Sequence, residues 1–354
     1  MNKKITLWTI LVISSWQVVA QDQHFTQFYA APLTLNPALT GTFEGKYRFA
    51  AIYRDQWRSV LENPYITFGG AVDLRFERAS RRKKSYDAIG AGVQFFNDRV
   101  PSVDFTTNQI MLSGAYHKAL DKGKSQFLTV GVQFGIMQRN INYEKLSFND
   151  QFNGTDGYTD PTREALPENN FSFGDISAGL HYSFAPKKRI GVFLGGAIHH
   201  ITEPQTSFFV NRGEDENAEF VGDSKLFRKY TLHAGFLIPI GEKVQITPRG
   251  LAYMQGPHLA ANAGSNIRFL VNDVSGTALH IGGWARSVKN EDSQFSMDAL
   301  VMMMGIEVNN FLIGFSYDAN LNVLNNLNKR QGAFEVSIAF LGQYESDTVL
   351  CPKF

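Results

Sequence analysis

The chain has 354 residues with 34 Lys and Arg against 33 Asp and Glu, a formal charge of +1, and only 19% of its residues are charged. A single Cys, 13% aromatic and 44% hydrophobic residues exclude a disulfide scaffold, a zinc ribbon, a coiled coil and a disordered chain. A charge so near zero gives no electrostatic basis for binding nucleic acid.

The chain opens on a basic Asn2-Lys3-Lys4, an apolar stretch from Ile5 to Ser14, and a small-residue site at Val18-Val19-Ala20. This pattern predicts a secretory signal peptide over 1–20. Its loss would remove Lys3 and Lys4 and take the charge from +1 to −1. Cys351 then has no internal disulfide partner. Beyond residue 20 no apolar run is long enough for a transmembrane helix, and the longest, Ala299–Ile306, is strand-sized.

Residues 21–45 are too apolar for a solvated tail, with Phe25, Phe28 and Tyr29, while Pro32, Asn36-Pro37 and Gly41 prevent a long regular element. They predict an N-terminal plug or periplasmic segment that folds into a lumen or lies across its mouth. Phe25, Phe28, Asn36 and Pro37 are its candidate residues.

From residue 46 onward the pattern is period-2 alternation. Ile66, Phe68, Gly70, Val72, Leu74 and Phe76 share one face, and Thr67, Gly69, Ala71, Asp73 and Arg75 the other. Fourteen such stretches follow, at about 47–57, 65–76, 86–96, 104–118, 125–139, 171–184, 190–201, 227–238, 244–254, 259–270, 277–287, 298–308, 311–319 and 331–340. Those at 190–201 and 244–254 alternate weakly. The lengths are those of tilted membrane strands rather than soluble ones. The longest connections, 140–170 and 202–226, both follow odd-numbered strands, so long loops gather at one end and short turns at the other. A secreted β-sandwich pair or propeller shares the alternation but explains neither feature. The predicted fold is all-β, a transmembrane outer-membrane barrel of about 14 antiparallel strands over 46–340, with a periplasmic tail over 341–354 and both termini periplasmic. Inward glycines such as Gly90, Gly131 and Gly179 leave room for inserted chain.

Chemistry is sparse. His199-His200 near Glu203 reads as a hydrogen-bonded loop anchor rather than a metal site, because neighbouring strand residues point to opposite faces. His181, His233 and His280 read as lumenal residues. Ser207 with His199 lacks the context of an activated nucleophile, so no catalytic, cofactor or metal residue is assigned and no enzyme is expected. Arg78, Arg81, Arg82, Lys83 and Lys84 read as a basic turn after the second strand, facing the periplasm.

The order Gln23-His24-Phe25-Thr26-Gln27-Phe28, Leu35-Asn36-Pro37-Ala38-Leu39-Thr40-Gly41, Tyr53-Arg54-Asp55-Gln56-Trp57, Phe96-Asn97-Asp98, His199-His200-Ile201-Thr202-Glu203-Pro204, Arg228–Gly235, Gln255-Gly256-Pro257, Ser316-Tyr317-Asp318 and Cys351-Pro352-Lys353-Phe354 resembles the type IX secretion system membrane proteins of the PorP/SprF family. The resemblance implies a Bacteroidota outer-membrane barrel similar to the fatty-acid-transporter class. It implies support for secretion or surface anchoring of a partner such as a gliding adhesin, through that client's C-terminal domain, and work with other secretion and gliding motor components. An outer-membrane channel or fatty-acid-type transporter is the alternative. Outer-membrane lipid is the remaining partner, and no nucleic acid is expected. Within the two long connections Phe148, Phe152, Tyr158, Phe208 and Phe209 are the candidate partner-binding residues, as aromatic anchors on loops held by a rigid scaffold.

Overall fold

The computed structural model describes residues 22, 24–80, 85–155, 157–186, 189–208, 225–273, 275–289, 295–321 and 332–342. The predicted leader, Phe209 and the rest of 209–224, the basic residues 81–84, and the tail from 343 lie outside them.

Fourteen antiparallel strands form one closed barrel. They are β1 (Tyr47–Gln56), β2 (Tyr65–Ser80), β3 (Ser85–Val100), β4 (Phe105–Ala119), β5 (Gln126–Asn140), β6 (Asn170–Phe184), β7 (Gly191–His199), β8 (Lys229–Ile240), β9 (Val244–Gln255), β10 (His258–Asn272), β11 (Thr277–Lys289), β12 (Phe295–Val308), β13 (Phe311–Asn320) and β14 (Gly332–Gly342). Each pairs with its sequence neighbours, and β1 pairs with β14 from Tyr47↔Gly342 to Gln56↔Ala333, which closes the ring. Closure removes the sheet edges that hydrocarbon cannot solvate. Strands spaced about 4.8 Å and tilted about 40° give a backbone diameter near ~28 Å. No helix among the described residues is long and apolar enough to cross a membrane.

The surface has the polarity of a lipid-facing belt. Along β5 the exposed row is Leu128, Val130, Val132, Phe134 and Ile136, while Thr129, Gly131 and Gln133 are buried. On β2, Phe68 is 38% exposed and Thr67 only 3%. The predicted register is therefore the observed one at both strands. Met302 on β12 is 79% exposed, a position only lipid makes favourable.

Several boundaries differ from the sequence reading, and three of them bear on its assignments. β2 runs on to Ser80 and β3 begins at Ser85, so Arg78 belongs to a strand and not to the turn. β7 stops at His199, short of the expected 201, because His200 takes a left-handed conformation at φ +56°. β14 continues to Gly342.

The turns after even-numbered strands lie within 81–84, 120–125, 185–190, 241–243, 273–276 and 309–310, and the long connections 141–169 and 200–228 sit together at the other end. Inside the ring, between the two ends, lies the N-terminal segment. It folds as a 3-10 turn Phe28–Ala30, a one-turn helix Pro32–Leu35 and a second 3-10 turn Pro37–Leu39. The prolines hold it to single turns: each of the latter two elements begins on one, where a missing N–H costs nothing.

Candidate functional site: a filled lumen beneath a loop-capped mouth

Phe25, Phe28, Asn36 and Pro37 are all buried. Phe28, Tyr29, Leu35 and Leu39 pack with Leu251, Tyr253, Ala260, Trp284, Val301 and Met303 from the barrel wall. Tyr29 stacks on Trp284 at 5.5 Å, and the Arg249 guanidinium lies 4.7 Å over the Tyr29 ring. Phe25 sits with Ala31 and Ile52 in a second apolar cluster.

The polar groups of the segment are taken up by the wall at three levels. Near the long-connection mouth Thr26 and Gln27 donate their backbone N–H groups to the two oxygens of Glu335, each at 2.8 Å. Thr26 Oγ1 donates to Asp318 at 2.6 Å and accepts from Arg54 and Arg286. Arg54 pairs with Glu335 and Asp318, and Arg286 with Asp318 and Asp298. All of these charges except Asp298 are at most 5% exposed at the side chain. Such charges are retained only when mutually paired and hydrogen-bonded.

At the middle level Asn36 does the fixing. Its Nδ2 donates to Leu180 O, Gly196 O and His233 Nε2, and its Oδ1 accepts from Ala38 N at 2.8 Å. Leu35 O accepts from Thr231 Oγ1 and His199 Nε2. The wall approaches so closely that a Cβ on Gly131 would stand 2.3 Å from Ala38 N, and one on Gly179 2.0 Å from Asn36 Oδ1. Only glycine permits these approaches, to the segment's backbone at Gly131 and to the Asn36 side chain at Gly179.

At the short-turn end Gly41 N donates to Asp73 at 2.7 Å, and Arg48 grips both Asp73 oxygens at 2.8 and 2.9 Å while donating to Leu39 O. Thr40 O accepts from His117 Nε2, which fixes that ring's tautomer and leaves Nδ1 to accept from Thr129 Oγ1.

The segment's first described residue forms a latch. Asp22 and Asp175 both contact His200, at 2.7 and 2.9 Å, and Lys229 reaches Asp22 at 3.4 Å. Burial opposes charge on His200, but the two carboxylates outweigh it and hold the imidazolium to about 9. Burial would raise Asp22, but His200 and Lys229 hold it well below the usual carboxylate range. The left-handed turn brings His200 to the same buried side as His199, with the rings 6.4 Å apart. The alternation rule, applied to this pair as strand neighbours, therefore fails at the strand end. His181 and His233 stack inside the lumen at 5.4 Å.

Above Phe25, Phe28 and Leu35 a cavity of about 230 Å³ remains under the mouth, reached by Phe96, Arg139 and His200. The described candidate loop aromatics, Phe148, Phe152, Tyr158 and Phe208, are spread around this mouth rather than gathered. Phe152 and Tyr158 are exposed, bridge their backbones, and hold their rings 5.4 Å apart in the 141–169 connection. Phe148 is half-buried, with its N–H bonded to the Gln151 side chain. Phe208 packs edge-on against Phe171 at 4.8 Å and near Phe105 at 6.2 Å. Asp150 spends its carboxylate inside the loop, accepting from Thr162 Oγ1 and Arg163 N.

The polar residues that fasten the segment, Arg48, Arg54, Asp73, Arg286, Asp318 and Glu335, were absent from the candidate set. The signal was present: each is a charged residue at an inward position of a membrane strand.

The solved CymD monoaromatic hydrocarbon channel is similar, with a TM-score of 0.48, 10% identity, and coverage of 90% of this chain and 94% of that one. The Pseudomonas putida toluene transporter TodX gives a TM-score of 0.46, 9% identity, and coverage of 91% and 98%. No curated protein matches the chain. The profile of the type IX secretion system membrane protein PorP/SprF family matches residues 18–340, nearly the whole length. The chain belongs to the PorP/SprF family and is an outer-membrane component of the type IX secretion system.

Proposed function

We propose that this protein supports secretion or surface anchoring of a partner protein, such as a gliding adhesin, through protein–protein contact at its long-connection mouth. In this reading 1–20 is a cleaved leader, both termini are periplasmic, and the mouth faces outward. The client's C-terminal domain docks there, and other secretion and gliding motor components of a Bacteroidota-type cell meet the short-turn side. The observation that carries the reading is the filled lumen: residues 25–41 are bonded to the wall at three levels, which suits a docking scaffold better than a conduit. Exposed Phe152 and Tyr158 are anchors of the type that dominates binding hot spots.

The test is to shorten 141–169 or 202–226 to a tight turn and measure co-purification of the secreted client from outer membranes. The barrel stays folded, since outer loops tolerate deletion, and client recovery falls. Recovery at wild-type level with both loops shortened contradicts the reading. The cavity under the mouth favours a second reading, an outer-membrane channel or fatty-acid-type transporter. That reading requires the N-terminal segment to leave.

A further inference from the structure

The barrel wall has a step at the long-connection end. β6 is bonded to β5 along its whole length, Asn170 to Phe184, but to β7 only from Ala178 to Phe184. Past His199 the chain turns away, and one further bond, Ile201 N–H to Ile176 O at 3.0 Å, ends the contact. In an antiparallel strand each residue points its N–H and C=O to the same side, and successive residues alternate. Ile176 O faces β7, so the backbone groups of Gly174, Ser172 and Asn170 face that way too. No described residue pairs with them on that side, and all three residues are exposed.

The described start of the connection leaving β7, up to Phe208, passes on the other side of the wall. Thr206 O accepts from Arg139 at 3.3 Å, and Phe208 packs on Phe171. Phe171 shares its face of β6 with the buried Asp175 and Ser177. The open edge also stands at the limit of the apolar belt: Gly174 pairs with Ile136, the last apolar residue of the β5 outer row, and Ser172 with Gln138. Gln138 donates to Asn170 Oδ1 at 3.0 Å in an exposed contact. An open edge is forbidden in hydrocarbon, but in water it is a template for an added strand.

We propose that the 170–174 edge of β6 docks one extended strand of the secreted client, with acidic and apolar side chains in alternation. This rests on the reading of the protein as a client-binding component. Backbone pairing supplies affinity, and alternate side chains supply selectivity. Side chains on the lumenal side of the added strand meet Phe171 and Phe173, whose rings stack at 5.9 Å, and the Arg139 guanidinium, 5.9 Å over the Phe173 ring. Arg139 Nε is buried without a hydrogen-bond partner, and no described carboxylate forms an ion pair with this cation. A carboxylate on the added strand supplies what Arg139 lacks. Side chains on the opposite face meet Ile176 and the membrane rim, where apolar groups belong.

The test uses the full-length protein in native outer membranes. A photoreactive benzoylphenylalanine replaces Ser172, and after irradiation the cross-linked peptides are sequenced while client co-purification is followed in parallel. The expected product joins position 172 to an extended acidic–apolar segment of the co-purifying client. With the photoreactive group moved to position 170, Ser172→Pro lowers the same product about tenfold or more. That proline removes only an N–H aimed at the open edge and leaves the ladder to β5 intact. Arg139→Gln also lowers it. Products formed with a second copy or with this chain itself overturn the proposal. A client that co-purifies but cross-links only elsewhere overturns the proposal alone, and no co-purifying client at all overturns it together with the functional reading beneath it.

Discussion

Single residues decide whether the lumen is filled. At Gly131 and Gly90 wall and segment touch backbone to backbone, and Gly179 makes room for the Asn36 side chain. Gly131→Leu places carbon where Ala38 N already lies, so the segment is expelled around residues 36–38. Added protease should then cut unboiled Gly131→Leu protein there and leave the wild type whole. The Asp22–His200–Asp175 latch carries a pH signature. His200 is raised from 6.5 to about 9, so its contribution is full below about 6.5 and lost as pH rises through about 9. Asp22 is lowered, so its contribution holds above the ordinary aspartate value of 3.8 and is lost only in stronger acid. The temperature at which the folded gel band converts to the unfolded one should fall for wild type between pH 7 and 10. Asp22→Asn should start lower at pH 7 and change less over that interval. Parallel curves for the two proteins would show that the latch contributes nothing.

At the scale of elements, the strands were legible because alternation survives whatever fills the barrel: a lipid face must be apolar, and Phe68, Val72 and Leu74 say so without tertiary information. A charge at the centre of that face tests the register directly. Val132→Arg, on the 52% exposed outer row of β5, should cost about 2–4 kcal/mol near the bilayer midplane, read from urea unfolding in lipid vesicles. Equal unfolding midpoints for variant and wild type would contradict the assignment of that face to lipid. The end of β7 was less legible, since Gly195-Gly196 blurs the alternation and nothing local announces a left-handed His200. The segment 21–45 announced its burial through Phe25 and Phe28, but its partners were hidden by distance along the chain: Thr26 meets Glu335 and Gly41 meets Asp73. Inward charges such as Asp318 were legible as a class, but not which of them would meet the segment. The aromatics of the long connections were legible as a class, but not their grouping, because Phe208 joins Phe171 and Phe105 while Phe152 joins Tyr158.

Taken as a whole molecule, the barrel and its own N-terminal segment form one packed object. Hydrogen bonds from Thr26 at one end to Gly41 at the other tie the segment across the lumen, and the Arg54–Glu335–Asp318–Arg286 cluster couples it to strands on both sides of the β1–β14 closure. Removing one partner of such a cluster leaves buried charge uncompensated, typically about 3–5 kcal/mol. Glu335→Gln is therefore expected to loosen the segment far more than a lipid-facing substitution of similar size, and to do so without opening the β1–β14 pairing. We infer from the filled lumen that this barrel is a docking scaffold and not a conduit. Single-channel recording of the full-length protein in planar bilayers tests it most directly. Wild type should show no steady conductance above the bare bilayer, whereas protein lacking residues 22–41 should conduct. A stable ohmic conductance from wild type, unchanged by that deletion, would mean that the barrel is a conduit.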